Sequence, residues 1–297
     1  MRNIKALILK RANVRPVLPA LLLFVAAVAV AAEAGYNALP LSTGVYVIQA
    51  KGNNILVSAG DDGVVLVDAG DERIADKVLA SVKTLSSKPI RFVIDTHVHG
   101  DHAGGNALFQ KFAPVIAHHN VRTRMMGDGD DKAPPAAWPL ITFDSEMVLH
   151  LNGEEIRVLK VPAGHTDGDA VVFFKNANVV HMGDVYMSPA VSFGAKQSGG
   201  SMLGLIASLE FVIPLIPADA KIVPGHGAIA SRADMERGLD VLKAMKEVVE
   251  DAIRGGKTMD QLVAEKPFDK WKSEVPAWMS SMDGYVKNFY RELTAKK

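Results

Sequence analysis

The amino-acid sequence predicts an α/β fold with a single core, in which polar side chains follow the ends of short strands. The chain has 297 residues, of which 48% are hydrophobic, so it is long enough for a two-layer or four-layer core. Short runs rich in β-branched residues alternate with turn signals, and apolar residues at helical spacing follow near the C-terminus. No linker composition or short repeat divides the chain into domains.

The N-terminal segment has the composition of an export signal. It contains five Lys or Arg and no acid in the first 31 residues, and the apolar run over 16–32 ends in small residues. A membrane-spanning helix needs about 20 apolar residues, more than this run supplies. We therefore predict a signal peptide over 1–32, cleaved near Ala31 or Ala32, with a retained membrane anchor as the alternative.

Charge and cysteine content indicate where the protein is located and which classes of partner it can bind. Five of the 33 Lys and Arg lie in the first 31 residues, which leaves 28 against 33 Asp and Glu and argues against a nucleic-acid binder. The chain has no cysteine, which excludes disulfides and a lipid anchor and leaves nitrogen and oxygen as metal ligands. We predict a periplasmic protein without nucleic-acid partners or stable membrane insertion after signal cleavage. No oligomeric state is indicated.

Strands are predicted in both halves of the chain. The segment 44–70 reads as three antiparallel strands, separated by the turn signals Gly52-Asn53-Asn54 and Asp61-Asp62-Gly63. A buried strand follows over 90–95. Each later strand region ends in a Gly-containing turn beside an Asp or His, and these regions are 154–165, 169–184 and 220–227.

Helices are predicted where apolar residues recur on one face. One begins at Asp71 and presents Ile74, Val78, Val82 and Leu85. A second begins after a Ser231 cap, and a last one lies near the C-terminus. The predicted mature domain over 36–297 thus has a core over 43–230 and C-terminal helices over 231–297.

The stretch DTHVHGDHAGG, Asp95–Gly105, places three histidines and two aspartates within eight residues. His97 and His99 are two apart on an extended segment, so their side chains point to the same side and can share one cation. Asp101 and His102 follow at a turn and can reach a second cation. The remaining ligand candidates each follow a predicted strand, at His165, Asp184 and His226.

These elements, in this order, resemble the metallo-β-lactamase superfamily of binuclear hydrolases over roughly 43–230. The resemblance implies an αββα four-layer sandwich with the active site at one edge of its two sheets. It also implies that His97, His99 and His165 hold one metal, that Asp101, His102 and His226 hold the other, and that Asp184 bridges them. Asp101 and Asp184 are the predicted catalytic residues.

Other roles stay open for several residues. Asp184 could only order a turn, and Asp68 could either orient a metal ligand or cap the helix that begins at Asp71. Ordinary surface or strand roles are predicted for the remaining histidines, which are His118, His119, His150 and His181.

The ligand set predicts two zinc ions per chain, although iron or manganese also fills His and Asp sites. Two such ions lower the pKa of a bridging water enough to supply hydroxide near neutral pH. We therefore predict an exported zinc-dependent hydrolase that opens a strained amide or ester in a small molecule, either a β-lactam or a lactone. The segments 126–140, with Trp138, and 186–204, with Phe193, are predicted to cover the site and set specificity.

The sequence departs from the best-known β-lactamases at two positions of the site. The best-known β-lactamases have a cysteine ligand where Asp184 stands and a lysine three residues on, where this chain has Met187. The Asp184 pattern is closer to lactonases and glyoxalase II. The alternatives are an iron-dependent sulfur dioxygenase, a glyoxalase II-like thiolester hydrolase, and a non-catalytic zinc-stabilised binding protein.

Overall fold

A computed structural model describes residues 35–189, 191–276 and 281–295. Two β-sheets form its centre, one of seven strands in sequential order and one of five strands in the order β12-β11-β10-β9-β8. The first sheet contains β1 (Ala38–Ser42), β2 (Val45–Ala50), β3 (Asn53–Gly60), β4 (Gly63–Val67), β5 (Ile90–Ile94), β6 (Val115–His118) and β7 (Ile141–Phe143). The second contains β8 (Glu146–Leu151), β9 (Glu154–Lys160), β10 (Ala170–Phe174), β11 (Val179–His181) and β12 (Lys221–Val223).

The helices lie outside the sheets. They are α1 (Ala75–Leu85), α2 (Gly100–Ala103), α3 (Asn106–Phe109), α4 (His119–Met126), α5 (Met202–Val212), α6 (Arg232–Arg254), α7 (Met259–Ala264) and α8 (Asp283–Thr294). The predicted Ser231 cap is confirmed, because its side chain accepts from the Asp234 backbone N–H while Asp234 accepts from the Ser231 backbone.

Apolar residues fill three layers between these elements. Leu56, Val67 and Ile116 of the first sheet pack against inward residues of the second, such as Val158 and Phe174. A second cluster joins the outer face of the first sheet to α1, and a third joins the second sheet to α5, α6, α7 and α8. The predicted αββα sandwich is therefore confirmed, with the additional C-terminal helices packed on its second sheet.

Strand direction brings the ligand-bearing segments to one edge. β4 to β7 are parallel, so the segment that begins at Asp95 follows the carboxyl end of β5. In the second sheet β11 and β12 are parallel, and β9 runs the same way because both β9 and β11 pair antiparallel with β10. Within each sheet the carboxyl ends of parallel strands lie at a common edge, so the loops after these strands lie together.

The three antiparallel strands predicted over 44–70 are confirmed, but one predicted turn is shifted. The turn between β2 and β3 consists of Lys51 and Gly52, which have φ of 51° and 96°. Asn53 and Asn54 were predicted to belong to that turn, yet they begin β3 and are buried. Their amide groups contact the loops of the site, as described below.

Within the described residues, no helix has the length and apolar character needed to cross a membrane. The predicted signal peptide over 1–32 lies outside the described residues, so its export role stays a prediction.

Candidate metal centre

All seven predicted ligands lie together at the shared sheet edge. His97 and His99 follow β5, and Asp101 and His102 belong to the short helix α2. The second sheet supplies the others from the loops after three of its strands, namely His165 after β9, Asp184 after β11 and His226 after β12.

Three histidines form the first part of the centre, which we call the three-histidine group (His97, His99 and His165). Nδ1 of His99 lies 3.2 Å from Nε2 of His97 and 2.9 Å from Nε2 of His165. The rings of His99 and His165 are nearly perpendicular, at 88°. Three imidazole nitrogens therefore converge on one point.

The second part is the Asp101 group (Asp101, His102 and His226). Nε2 of His226 lies 3.3 Å from Nε2 of His102 and 3.2 Å from Oδ2 of Asp101. Nε2 of His102 lies 3.6 Å from the same Asp101 oxygen. Two nitrogens and a carboxylate oxygen thus face a second point.

The Asp184 carboxylate lies between the two groups and is 4% exposed. Its Oδ2 is 3.3 Å from Nε2 of His165 and 3.3 Å from Nε2 of His226. Its Oδ1 is 3.3 Å from Nε2 of His102 without the alignment of a hydrogen bond. The carboxylate therefore contacts both groups, and ordering a turn is not its main role.

Each ring nitrogen that faces away from the centre has an oxygen partner. Nδ1 of His102 lies 2.8 Å from Oδ2 of Asp68, and Nδ1 of His165 lies 2.7 Å from the Phe193 carbonyl oxygen. The remaining contacts join His97 to Thr96 Oγ1, His99 to Ser198 Oγ and His226 to the Gly52 carbonyl. With the outer nitrogen donating, the inner nitrogen of each ring can offer its lone pair to a metal ion.

This donor set fits a divalent cation. Without one, the inward lone pairs of the three neutral imidazoles of His97, His99 and His165 would face one another at close range beside a buried carboxylate, which is costly. Imidazole and carboxylate are the ligands that zinc and similar divalent ions take. The residues therefore form a group that could hold divalent metal ions.

The two groups differ in charge when no metal is bound. Burial lowers the pKa of His97, and it lowers the pKa of His165 to about 4, so both rings are neutral near pH 7. Burial also acts on His226, but the hydrogen bonds to Asp101 and Asp184 overcome it and raise its pKa to about 9. Metal binding at the Asp101 group therefore displaces protons.

Asp68 orients His102. Its Oδ1 accepts from the Thr96 backbone N–H at 2.8 Å, and its Oδ2 is the partner of His102. The alternative role of helix cap belongs to Asp71, whose side chain accepts from the Arg73 backbone N–H. The ligand-orienting interpretation of Asp68 thus agrees with the geometry.

The remaining histidines are not equivalent. His119 and His150 are exposed, and His118 caps α4. His181, predicted as an ordinary strand residue, is fully buried in β11, where its Nε2 donates to the Asn54 carbonyl at 2.9 Å. Its Nδ1 accepts from the Gly183 backbone N–H at 3.1 Å, so it supports the turn that carries Asp184.

Two asparagines join the loops of the centre, although their sequence indicates only a turn. Nδ2 of Asn54 donates to the carbonyls of Pro224 and Gly227 at 2.8 and 2.9 Å, on both sides of His226. Asn53 donates to the Asp101 carbonyl. The Asn-Asn pair resembles a turn signal, and only its burial in β3 indicates the supporting role.

The two segments predicted to cover the site contribute in different ways. Phe193 packs its half-buried ring 5.0 Å from the His165 ring, so it forms a wall of the centre. Trp138 instead donates its Nε1–H to the carbonyls of Met125 and Ala133, which fixes the base of its own loop. In the same loop, Asp131 accepts from the Ser198 hydroxyl, which also contacts His99.

We expect Gly225→Ala to lower the metal content of the protein. A Cβ at Gly225 would lie 1.9 Å from Oδ1 of Asp184 and 2.8 Å from the Gly183 carbonyl carbon, so the carboxylate must leave its position. Metal content by plasma mass spectrometry should fall, and Gly100→Ala, which meets no atom within 4 Å, should retain it. Full metal content in Gly225→Ala would contradict the placement of Asp184.

Comparisons with known proteins agree with this geometry. The family model described as the metallo-beta-lactamase superfamily matches residues 48–226. The chain is 29% identical over 177 residues to a hydroxyacylglutathione hydrolase of Nitrosococcus oceani, covering 58% of this chain and 61% of that protein. It is 24% identical over 196 residues to the type 2 metallo-beta-lactamase of Bacillus cereus, covering 66% and 75%.

Among solved structures, the metallo-beta-lactamase from Pontibacter korlensis superposes with a TM-score of 0.61 at 20% identity. The match covers 70% of this chain and 98% of that one. This likeness concerns the fold. The chain spans about 61% of the length of the hydroxyacylglutathione hydrolase that it matches.

Proposed function

Because the chain belongs to the metallo-β-lactamase superfamily, we propose that it is a hydrolase with two zinc ions that opens strained esters and amides, lactones before β-lactams. The observation that carries the proposal is the position of Asp184, whose carboxylate contacts both the three-histidine group and the Asp101 group. A mononuclear or purely structural site would need no carboxylate between two ligand sets.

The residues of the centre have different proposed roles in hydrolysis. Bound divalent ions supply Lewis acidity and water activation. His97, His102 and His165 are buried and hold the centre rigid, whereas the Asp101 side chain is 42% exposed and marks the side that a substrate approaches. The Asp101 carboxylate oxygen that does not bind an ion, Oδ1, would accept the proton that the attacking water releases.

The surroundings of the centre favour a lactone. Met187 occupies the position where the resemblance to β-lactamases calls for a lysine, and it is 1% exposed, so it supplies no cation for the carboxylate of a β-lactam. Phe193 offers an apolar wall instead, beside the ring of His165. An uncharged ring with an apolar substituent suits such a wall.

A thiolester hydrolase is the second candidate. The observation that favours it is the similarity to hydroxyacylglutathione hydrolase over 177 residues. Iron in place of zinc would favour the third candidate, an iron-dependent sulfur dioxygenase.

One experiment separates these functions. The protein lacking residues 1–32 is purified, its metals are measured by plasma mass spectrometry, and it is offered a lactone, a chromogenic cephalosporin and an acylglutathione thiolester. We expect two zinc ions and fastest turnover of the lactone. Two zinc ions with turnover of the thiolester alone would show that the protein is a thiolester hydrolase. A single iron ion would instead favour the sulfur dioxygenase.

We also propose that the protein is exported to the periplasm, as the basic and apolar N-terminal segment predicts. The mature N-terminus is then expected between Ala31 and Gly35. Intact-mass measurement on protein from the periplasmic fraction tests this cleavage. Retention of Met1 in that material would contradict cleavage and favour the retained membrane anchor.

A further inference from the structure

We propose that Asp131 is a positioning residue for the metal centre, and that it acts through the Ser198 hydroxyl to fix the orientation of His99. The proposal rests on the proposed function only in requiring that metal binds. Neither residue belongs to the predicted ligand set, and Asp131 comes from the loop between α4 and β7.

The contacts form a chain of three side chains. Nε2 of His99 lies 3.1 Å from Oγ of Ser198, and that hydroxyl donates to Oδ1 of Asp131 at 3.0 Å. Ser198 is fully buried, and the Asp131 side chain is 10% exposed. Little water therefore competes for these contacts.

The Asp131 carboxylate determines which atom donates in each of these two hydrogen bonds. A serine hydroxyl can either donate to an imidazole nitrogen or accept from it. Because an ionised Asp131 can only accept, the Ser198 proton points toward it and the Ser198 lone pairs face His99. Nε2 of His99 must then carry the proton, which leaves Nδ1 bare toward His97 and His165.

His99 depends on this arrangement more than the other ligands do. His165 and His226 contact backbone carbonyls, and His102 contacts the Asp68 carboxylate, all of which can only accept. The His97 partner, Thr96, is itself fixed by donating to Asp68 at 3.0 Å. Among the residues that the structure describes, the acceptor for the Ser198 hydroxyl is Asp131.

Arg124 holds Asp131 in position. Its guanidinium donates twice to Asp167, at 2.7 Å each, and once to the Gln197 carbonyl at 3.1 Å. The same group lies 3.6 Å from Oδ2 of Asp131. α4, the loop that carries Asp131 and the turn that carries Ser198 are thereby joined beside a cavity of about 320 Å³.

The test uses Co²⁺, whose visible absorption reports ligand geometry, and a chelator competition that gives metal affinity. The variants are Asp131→Ala, Asp131→Asn and Ser198→Ala, and the control is Asp130→Ala, which removes an exposed carboxylate one residue away. Loss of an outer partner of a metal-bound histidine weakens metal binding by about 10- to 100-fold. We expect that loss in Asp131→Ala and Ser198→Ala with an altered Co²⁺ spectrum, a smaller loss in Asp131→Asn, and wild-type behaviour in Asp130→Ala.

Unchanged affinity and spectrum in Asp131→Ala would overturn the inference. So would a lower melting temperature of the metal-free variant with a wild-type Co²⁺ spectrum, because Asp131 would then only stabilise its loop. If Asp131→Ala does not fold, Ser198→Ala and Asp131→Asn provide the same readouts. A wild-type protein that binds no Co²⁺ or Zn²⁺ would instead defeat the proposed function.

Discussion

Asp184→Asn is expected to leave the chain folded with about half of the wild-type zinc and to lower turnover by more than about 100-fold. Mutation of the outer partners of metal ligands alone lowers metal affinity or activity by about 10- to 100-fold, and loss of a ligand should have a larger effect. The Asp184 carboxylate is the one ligand whose oxygens contact both groups. An amide removes the negative charge that offsets the repulsion of two dications. The ion at the Asp101 group should be lost, because the three-histidine group keeps three imidazoles.

Bound zinc and lactone hydrolysis are measured on the same preparation of this variant. His150→Asn is the matched control, because His150 is exposed on β8 and lies outside the centre. His181 is not a suitable control, since it holds Gly183 and Asn54. Two tightly bound zinc ions in Asp184→Asn would remove the bridging role.

Chelation is expected to abolish turnover while far-UV circular dichroism stays close to that of the loaded protein. Three clusters of buried apolar residues hold the layers together without any ligand side chain. Each buried Val, Leu, Ile or Phe side chain contributes about 1.5–3 kcal/mol, so we expect the core to maintain the fold without metal.

Dialysis against a chelator followed by activity and spectra tests this expectation, and readdition of zinc should restore turnover. Dialysis without chelator is the control. Cooperative loss of the helical signal on chelation would show that the metal is needed for the fold.

The candidate ligand set could be predicted from the sequence because metal binding requires particular residue types, which in this chain follow predicted strands. The His-x-His-x-Asp-His block is local, and the other three ligands each follow a run that reads as a strand. The predicted helix from Asp71 also follows from its periodicity, and the structure contains it as a 3₁₀ turn that leads into α1.

The supporting residues could not be predicted, because their roles depend on contacts distant in sequence. Asn54 contacts the Pro224 carbonyl, 170 residues away, and Ser198 contacts His99, 99 residues away. Local patterns favour a turn at Asn53 and Asn54, and packing against the 224–227 loop overrides that preference. The sequence also does not indicate β6, β7 and β8. β6 and β7 have only four and three residues, and β8 is an edge strand.

Each ligand group takes members from both sheets. His97 and His99 extend from the first sheet and His165 from the second, while Asp101 and His102 face His226 across the same seam. A bound ion is therefore a cross-link between two layers that are otherwise joined by apolar packing and by hydrogen bonds such as those of Asn54. Sliding of one layer over the other would have to break metal–ligand bonds first, so ion occupancy should slow unfolding and raise the melting temperature with free zinc concentration.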